Sequence, residues 1–110
     1  MIKLIACDLD GTLLTPDGEL PEGTSSVIGK LYEKGILFCP ASGRQLTALE
    51  QMFGPVRDKV AFIAENGAIV SCRGELLRCV TIPRETVLRA LAEVKKLPDA
   101  HPLLCTPECA

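Results

Sequence analysis

Three short polar segments carry the residues of this sequence that are best suited to chemistry. They are Asp8-Leu9-Asp10, Ser42-Gly43-Arg44 and Asn66-Gly67. A carboxylate can act as a nucleophile, and a second carboxyl group close to it can carry a proton to or from the reacting atoms. Asp-Gly turns are also common on protein surfaces. The position of these segments in the fold therefore decides whether they form a site.

Each polar segment follows a short apolar run that has the character of a buried β-strand. The runs are residues 2–7, 36–39 and 60–64, and we expect the first to be buried on both faces of a parallel sheet. The carboxyl ends of parallel strands share one edge of an open sheet, and ligands bind in the crevice outside that edge. The three segments are therefore predicted to converge there.

Helical patterns separate these strands, the first over about residues 23–35 and the second from residue 46 to about residue 53. Their apolar faces are Val27, Ile28 and Leu31 in the first helix and Leu46, Leu49 and Met52 in the second. The alternation of strand and helix predicts an α/β fold with a Rossmann-like parallel sheet.

The pattern changes after residue 67. Residues 68–72 and 75–82 flank Arg73-Gly74, which predicts a β-hairpin. Pro83 then opens a helix, and a last apolar stretch at residues 103–105 predicts a further strand. The apolar face of that helix is Val87, Leu88 and Leu91. A second, antiparallel unit is therefore expected to begin here.

The polar segments and their order are similar to the motifs of a known enzyme family. Asp8-Leu9-Asp10-Gly11-Thr12 resembles the DxDGT motif of the haloacid dehalogenase (HAD) superfamily. Ala41-Ser42-Gly43-Arg44 and Glu65-Asn66-Gly67-Ala68 resemble the next two landmarks of its Cof-type branch. This resemblance covers essentially the whole chain. It implies a HAD-like core with an inserted α+β cap, and a phosphatase that acts on sugar phosphates or other small phosphorylated metabolites.

The resemblance also implies a mechanism, which is Mg²⁺-dependent phosphomonoester hydrolysis through an aspartyl phosphate. Asp8 corresponds to the nucleophile. Asp10 corresponds to the residue that protonates the leaving oxygen and later deprotonates the attacking water. Mg²⁺ would be held by Asp8 and by the backbone carbonyl of Asp10.

Five further residues correspond to the phosphate-binding or substrate-binding part of the family's site. They are Thr12, Ser42, Gly43, Arg44 and Asn66. The hydroxyl of Ser42 matches a donor to the phosphoryl group, and Gly43 would let the backbone approach it closely. Arg44 has two interpretations from the sequence: a residue at the start of a helix that faces solvent, or a contact to the substrate or the cap.

The sequence departs from the family where the later motifs would stand. The family's lysine, which faces the phosphoryl charge, and its GDxxND-like metal segment have no counterpart here, and neither Lys95 nor Lys96 matches that lysine. We therefore divide the chain into the amino-terminal half of the core, residues 1–67, and the truncated beginning of the cap, residues 68–110. The expectation is an amino-terminal fragment that has little or no phosphatase activity by itself.

Composition and charge exclude several other classes of function. A hydrophobic content of 47% excludes disorder, and 12 basic against 14 acidic side chains exclude a basic surface for nucleic acid. No apolar run approaches the roughly 18 residues of a membrane span. The start of the sequence lacks the pattern of a signal peptide, so we expect a cytoplasmic protein that does not act at a membrane.

The six cysteines are interpreted as free thiols, because a cytoplasmic chain does not build a disulfide framework. Cys39 lies within an apolar run and is assigned to the core. His101, Cys105 and Cys109 have a spacing that is only a weak signal for zinc.

A binding module is the alternative to an enzyme. A small parallel sheet leaves an exposed edge strand, which can pair with another chain or with a second copy of this one. Asp8, Asp10 and Thr12 also match positions of a calcium-binding loop. Leu13 stands where that loop requires glycine, so an EF-hand is excluded.

Overall fold

The apolar runs of the sequence form the strands of one mixed sheet. The structure, a computed structural model, describes residues 1–106. The strands are Leu4–Asp8 (β1), Leu37–Ala41 (β2), Ala61–Ala64 (β3), Ile69–Cys72 (β4) and Glu75–Cys79 (β5), and the helices are Thr24–Glu33 (α1), Leu46–Met52 (α2) and Arg84–Val94 (α3). Within the described part of the chain, no helix has the length and apolar character needed to cross a membrane. The predicted α/β fold is confirmed.

The five strands lie in the sheet in chain order. β1 pairs with β2 and β2 pairs with β3 in parallel, with α1 and α2 as the crossover helices, whereas β3, β4 and β5 pair antiparallel. The predicted hairpin around Arg73-Gly74 is confirmed, and its strands continue the same sheet. Because Asp8 is aligned with Ala41 and Ala41 with Ile63, the three parallel strands end at one edge.

The main core lies where α1 and α2 pack against the sheet. Ile28 of α1, Leu49 of α2 and Phe38 of β2 are all buried in one cluster. The ring centroid of Phe53, which follows α2, lies 6.3 Å from that of Phe38 and 6.0 Å from that of Phe62. Burial of each such ring stabilises the fold by roughly 1.5–3 kcal/mol. This cluster fixes the strands whose ends carry the polar segments.

The predicted apolar faces of the helices are confirmed only in part. In α2, Leu49 is buried and both Leu46 and Met52 pack against the core. In α1, Ile28 and Leu31 pack there, but Val27 is 57% exposed, so its assignment was wrong. In α3 no residue is buried and Leu88 is 53% exposed. Helical spacing identifies the apolar side of a helix. How many side chains on that side are buried depends on what packs against it.

The expectation that β1 is buried on both faces is also wrong. Leu4 is 52% exposed and Ile5 is 36% exposed. The reason is that β1 lies at the edge of the sheet and pairs only with β2. Among residues 1–106, no strand pairs with the other side of β1. The strand is therefore as apolar as a central strand, although it lies at the edge of the sheet.

The chain divides into two compact units, and the boundary in the sequence follows the last residue of β5. The first is Met1–Cys79 and the second begins at Val80. The hairpin of β4 and β5 belongs to the first unit because it is hydrogen-bonded to β3. The assignment of residues 68–110 to a cap stays a prediction. Residues 103–105, predicted as a strand, form no regular element.

The cysteine interpretation agrees with the described residues. Cys7, Cys39, Cys72 and Cys105 are free thiols, whereas Cys109 lies outside the described residues. Cys39 is only 3% exposed, which confirms its place in the core, and burial raises the pKa of its thiol. A raised pKa keeps a thiol protonated and unreactive.

One buried hydroxyl group gives a test of the core. Ser71 in β4 is 3% exposed, and its Oγ has no hydrogen-bond partner among residues 1–106. Burial of such a group without a partner costs about 1–3 kcal/mol. We predict that Ser71→Ala raises the free energy of unfolding by about 1 kcal/mol in urea denaturation. Ser26→Ala removes a solvent-exposed hydroxyl in α1 and is the control, with a change limited to the helix propensities of the two residues, at most about 0.7 kcal/mol. A loss of stability in Ser71→Ala would show that the hydroxyl is hydrogen-bonded.

Candidate active site

The loops that follow β1, β2 and β3 meet at the carboxyl edge of the sheet. The backbone N–H of Asn66 donates to the carbonyl of Ser42 at 3.1 Å, and the N–H of Glu65 donates to the carbonyl of Arg44 at 3.0 Å. The N–H of Ser42 in turn donates to the carbonyl of Ile63 at 2.9 Å. These hydrogen bonds join the second and third polar segments into one rigid group.

The first polar segment is a tight turn that presents two carboxylates. The backbone angles of Asp10 (φ −68°, ψ 121°) and Gly11 (φ 77°, ψ 0°) are those of a type II turn, which requires a positive φ at its third residue. Leu9 is fully buried and anchors the turn, and the N–H of Leu14, beyond the turn, donates to the carbonyl of Leu9 at 3.0 Å. Asp8 and Asp10, on either side of Leu9, are exposed.

Asp8 is oriented by a residue of its own turn. The hydroxyl of Thr12 donates to Oδ2 of Asp8 at 3.2 Å. Among residues 1–106, Oδ1 of Asp8 accepts no hydrogen bond and is open to solvent or to a ligand. A carboxylate that is held by one oxygen and open at the other has the arrangement that a nucleophile needs.

Asp10 forms a bidentate ion pair with Arg44. Nη2 of Arg44 donates to Oδ1 at 2.7 Å and Nε donates to Oδ2 at 3.1 Å. The hydrogen bond from Arg44 is the largest effect on Asp10 and lowers the pKa of its carboxyl, while the same contact raises the pKa of Arg44. The pair is exposed, with 61% of the Asp10 side chain accessible. This contact joins the first polar segment to the second.

Ser42 keeps its hydroxyl hydrogen available for a ligand. Its Oγ accepts the backbone N–H of Arg44 at 3.1 Å, and among residues 1–106 the hydroxyl donates to no acceptor. The register places Ser42 directly after Ala41, the residue aligned with Asp8. Ser42 is therefore available as a donor at the same edge as the two carboxylates.

Gly43 and Asn66 are in close contact. A Cβ atom at Gly43 would lie 3.0 Å from Oδ1 of Asn66, so the amide group needs the space that glycine leaves. Asn66 and Glu65 have φ values of 54° and 51°, a conformation that costs a non-glycine residue about 1 kcal/mol or more. The hydrogen bonds to Ser42 and Arg44 hold this strained turn. Strained backbone often marks functional sites.

The structure brings all seven predicted site residues to one edge of the sheet. They are linked by contacts of Asp8 with Thr12, Asp10 with Arg44, Ser42 with Arg44 and with Asn66, and Gly43 with Asn66. Their catalytic and binding roles stay predictions. The sequence did not indicate one neighbour, Gly18, where a Cβ would lie 3.9 Å from Nη2 of Arg44. The only signal for it was the turn composition of Pro16-Asp17-Gly18.

The donors at this edge fit a hard cation. Asp8 offers a carboxylate oxygen and Asp10 a backbone carbonyl, while the side chain of Asp10 is occupied by Arg44. Mg²⁺ is commonly held by one or two carboxylates together with substrate phosphate and water. Among residues 1–106, no three His, Cys, Asp or Glu side chains are grouped to hold a metal. The zinc site considered for His101, Cys105 and Cys109 includes a residue outside this range.

Residues 5–108 match the family of haloacid dehalogenase-like hydrolases. A curated relative, an HMP-PP phosphatase of Shigella flexneri serotype 5b, is 37% identical over 86 residues, which are 77% of this chain and 32% of the relative. The chain therefore spans about a third of the length of that relative.

Solved structures resemble this fold. A protein of Streptococcus mutans has a TM-score of 0.78 and 27% identity, with 89% of this chain and 37% of that chain covered. A haloacid dehalogenase-like hydrolase from B. subtilis has a TM-score of 0.74 and 28% identity, with 86% and 34% covered. These likenesses cover almost the whole of the present chain but only part of each neighbour.

The ion pair gives a prediction about pH. In Arg44→Gln we expect the pKa of the Asp10 carboxyl to rise toward its ordinary value, as followed by ¹³C NMR. Because the pair lowers this pKa in the folded state, its stabilising effect is present above the ordinary pKa of aspartate and is lost as the pH falls through the lowered pKa. Arg57→Gln, at an exposed arginine without an ion pair among residues 1–106, is the control. An unchanged pKa in Arg44→Gln would contradict this.

The contact between Gly43 and Asn66 gives a second prediction. Gly43→Ala should lower the free energy of unfolding by about 0.5 kcal/mol, because the added Cβ makes a tight contact that the exposed side chain of Asn66 must relieve by a small shift. Gly29→Ala is the matched control, since a Cβ at Gly29 in α1 meets nothing within 4 Å, and it should raise stability by about 0.5–1 kcal/mol.

Adding Asn66→Gly to Gly43→Ala should restore most of the loss, because it removes the amide in tight contact and glycine tolerates the positive φ of that position. Urea denaturation measures all of these variants. If Gly43→Ala were as stable as the parent chain, the close contact would play no part in the fold.

Proposed function

This chain belongs to the haloacid dehalogenase-like hydrolases, and on that premise we propose that its sheet-edge site carries out Mg²⁺-dependent hydrolysis of a phosphomonoester through an aspartyl phosphate at Asp8. The observation that carries the proposal is the pairing of two exposed carboxylates at the end of β1, opposite the loop that holds Ser42. The substrate would be a small phosphorylated metabolite. In support, the relative from Shigella flexneri is named an HMP-PP phosphatase.

The first half of the reaction transfers the phosphoryl group to the chain. Oδ1 of Asp8, which is open among residues 1–106, attacks phosphorus, and the bond from phosphorus to the leaving oxygen breaks. The leaving oxygen takes a proton from the carboxyl group of Asp10. Thr12 holds the other oxygen of Asp8 and so keeps the nucleophile in one orientation.

The second half releases phosphate. Water attacks phosphorus, the carboxylate of Asp10 takes a proton from that water, and the bond between Asp8 and phosphorus breaks. Atoms balance, because one water and one ester give one alcohol and one phosphate. Asp10 is suited to this step because Arg44 favours its ionised form.

The remaining residues bind the anionic phosphoryl group. Ser42 has a hydroxyl hydrogen to donate, the backbone of Gly43 is exposed, and the amide of Asn66 lies against Gly43 at the same edge. Mg²⁺ held by Asp8 and the backbone carbonyl of Asp10 would supply positive charge against the phosphoryl oxygens.

The free thiols of Cys7 and Cys39 suit a reducing compartment such as the cytoplasm.

We expect weak catalysis from the 110-residue chain alone. The family's lysine and GDxxND-like metal segment have no counterpart in this sequence. Loss of one such charge-stabilising group lowers a rate by about 10²–10³. We predict that hydrolysis of 4-nitrophenyl phosphate with Mg²⁺ is slower than that of the full-length relative by at least this factor. A rate close to that of the relative would contradict this.

The aspartyl phosphate can be tested even when turnover is slow. After incubation with 4-nitrophenyl phosphate and Mg²⁺, borohydride reduces an aspartyl phosphate to homoserine, which peptide mass spectrometry locates. We expect homoserine at position 8, none in Asp8→Asn, and an unchanged yield in Asp17→Asn, an exposed aspartate in the neighbouring turn. Homoserine at another position, or its persistence in Asp8→Asn, would refute Asp8 as the nucleophile.

The exposure of β1 favours a second candidate function, which is self-association through this edge. In a parallel pair, every second residue of a strand directs its backbone N–H and carbonyl toward the neighbouring strand, and the residues between direct theirs away. The carbonyl of Lys3 accepts the N–H of Leu37, so the N–H of Ala6, three residues later, points away from β2. A second copy of β1 could pair there.

If β1 self-associates, the chain is a dimer in sedimentation equilibrium and Ala6→Pro makes it monomeric, because proline removes the outward N–H without breaking a bond to β2. Ala6→Val keeps that N–H and is the control. A monomeric parent chain would exclude this function.

A further inference from the structure

Arg44 contacts residues of all three loops of the site through its backbone and its side chain. Its backbone N–H donates to Oγ of Ser42, its carbonyl accepts the N–H of Glu65, and its guanidinium binds Asp10. It also lies beside the turn at Gly18, where a Cβ would be 3.9 Å from Nη2. The loops that follow all three parallel strands therefore meet at this one residue.

The guanidinium determines the orientation of Asp10. With 61% of its side chain accessible, Asp10 has little packing to fix its rotamer. The two N–H groups of Arg44 contact one oxygen each, at 2.7 and 3.1 Å, so they fix both the position and the plane of the carboxylate. Lysine has a single point charge and cannot reproduce this two-point contact.

We propose that Arg44 is a positioning residue that holds the carboxyl group of Asp10 in one orientation for proton transfer at the leaving oxygen. Its catalytic meaning depends on the function proposed above, whereas its effect on the geometry of Asp10 does not. Arg44 acts through Asp10 and is not assigned a contact with the phosphoryl group. The backbone hydrogen bonds of Arg44 fix the position of its main chain, from which the guanidinium extends to Asp10.

The first test measures the orientation of Asp10 in the complete 110-residue chain without any ligand. Three-bond couplings from Hα to the two Hβ protons report whether one rotamer is held. We expect two distinct couplings in the parent chain and in Arg57→Gln, averaged couplings in Arg44→Gln, and partial retention in Arg44→Lys. Unchanged couplings in Arg44→Gln, or averaged couplings in the parent chain, would overturn the proposal. If Arg44→Gln does not fold, Arg44→Lys and the parent chain decide.

The second test uses two substrates that differ in their need for a proton. The leaving group of an alkyl phosphate must be protonated, whereas 4-nitrophenolate leaves without a proton. Acid–base assistance contributes about 10²–10⁴-fold to a rate. In Arg44→Gln we expect kcat/KM, which reports only the steps up to loss of the leaving group, to fall about 10²-fold more for the alkyl phosphate than for 4-nitrophenyl phosphate. Arg44→Lys should recover part of the loss.

Equal losses on both substrates would overturn the proposal, because a general structural role or direct phosphate binding would affect both. If the 110-residue chain shows no turnover on either substrate, the search for homoserine at position 8 decides the proposed function, and the coupling measurement decides the role of Arg44. The two failures are thus distinguishable.

Discussion

The parallel register of β1, β2 and β3 is the constraint on which the site depends. Because Asp8 lies opposite Ala41 and Ala41 opposite Ile63, the chain leaves the sheet three times at the same edge. Each exit places a polar segment within reach of the others, and the backbone hydrogen bonds from Glu65 and Asn66 then fix their spacing. A shift of one residue in any of these strands would move its side chains to the other face and remove its segment from the site.

The residues that end the strands could be predicted because their signals are local. An apolar run that stops at Asp8, or a glycine next to Ser42, is visible within a few residues of sequence, and the order of elements follows from the same patterns. The ion pair between Asp10 and Arg44 could not be predicted in this way, because 34 residues separate its partners. Both interpretations of Arg44 from the sequence concerned its surroundings, and neither identified Asp10.

Burial was predicted less well than the elements themselves. Leu4 and Ile5 have the residue types of a central strand, and Val27 has the spacing of a core position, yet all three are substantially exposed. An apolar residue type indicates that burial of the side chain is favourable. Whether the side chain is buried depends on which neighbours pack against it. Within residues 1–106, β1 has a partner on one side only. The prediction was therefore correct about the character of the strand and wrong about its surroundings.

The ion pair of Asp10 has opposite consequences for the two halves of the proposed reaction. In the first half Asp10 must carry a proton, but each of its oxygens already accepts an N–H of Arg44, so a proton on either oxygen competes with that hydrogen bond. In the second half Asp10 must take a proton from water, and there the ionised form favoured by Arg44 is the reactive one. The exposed position of the pair eases this conflict, because solvent weakens an accessible ion pair and little energy is needed to release one oxygen. A buried pair of the same geometry would favour the second half and obstruct the first.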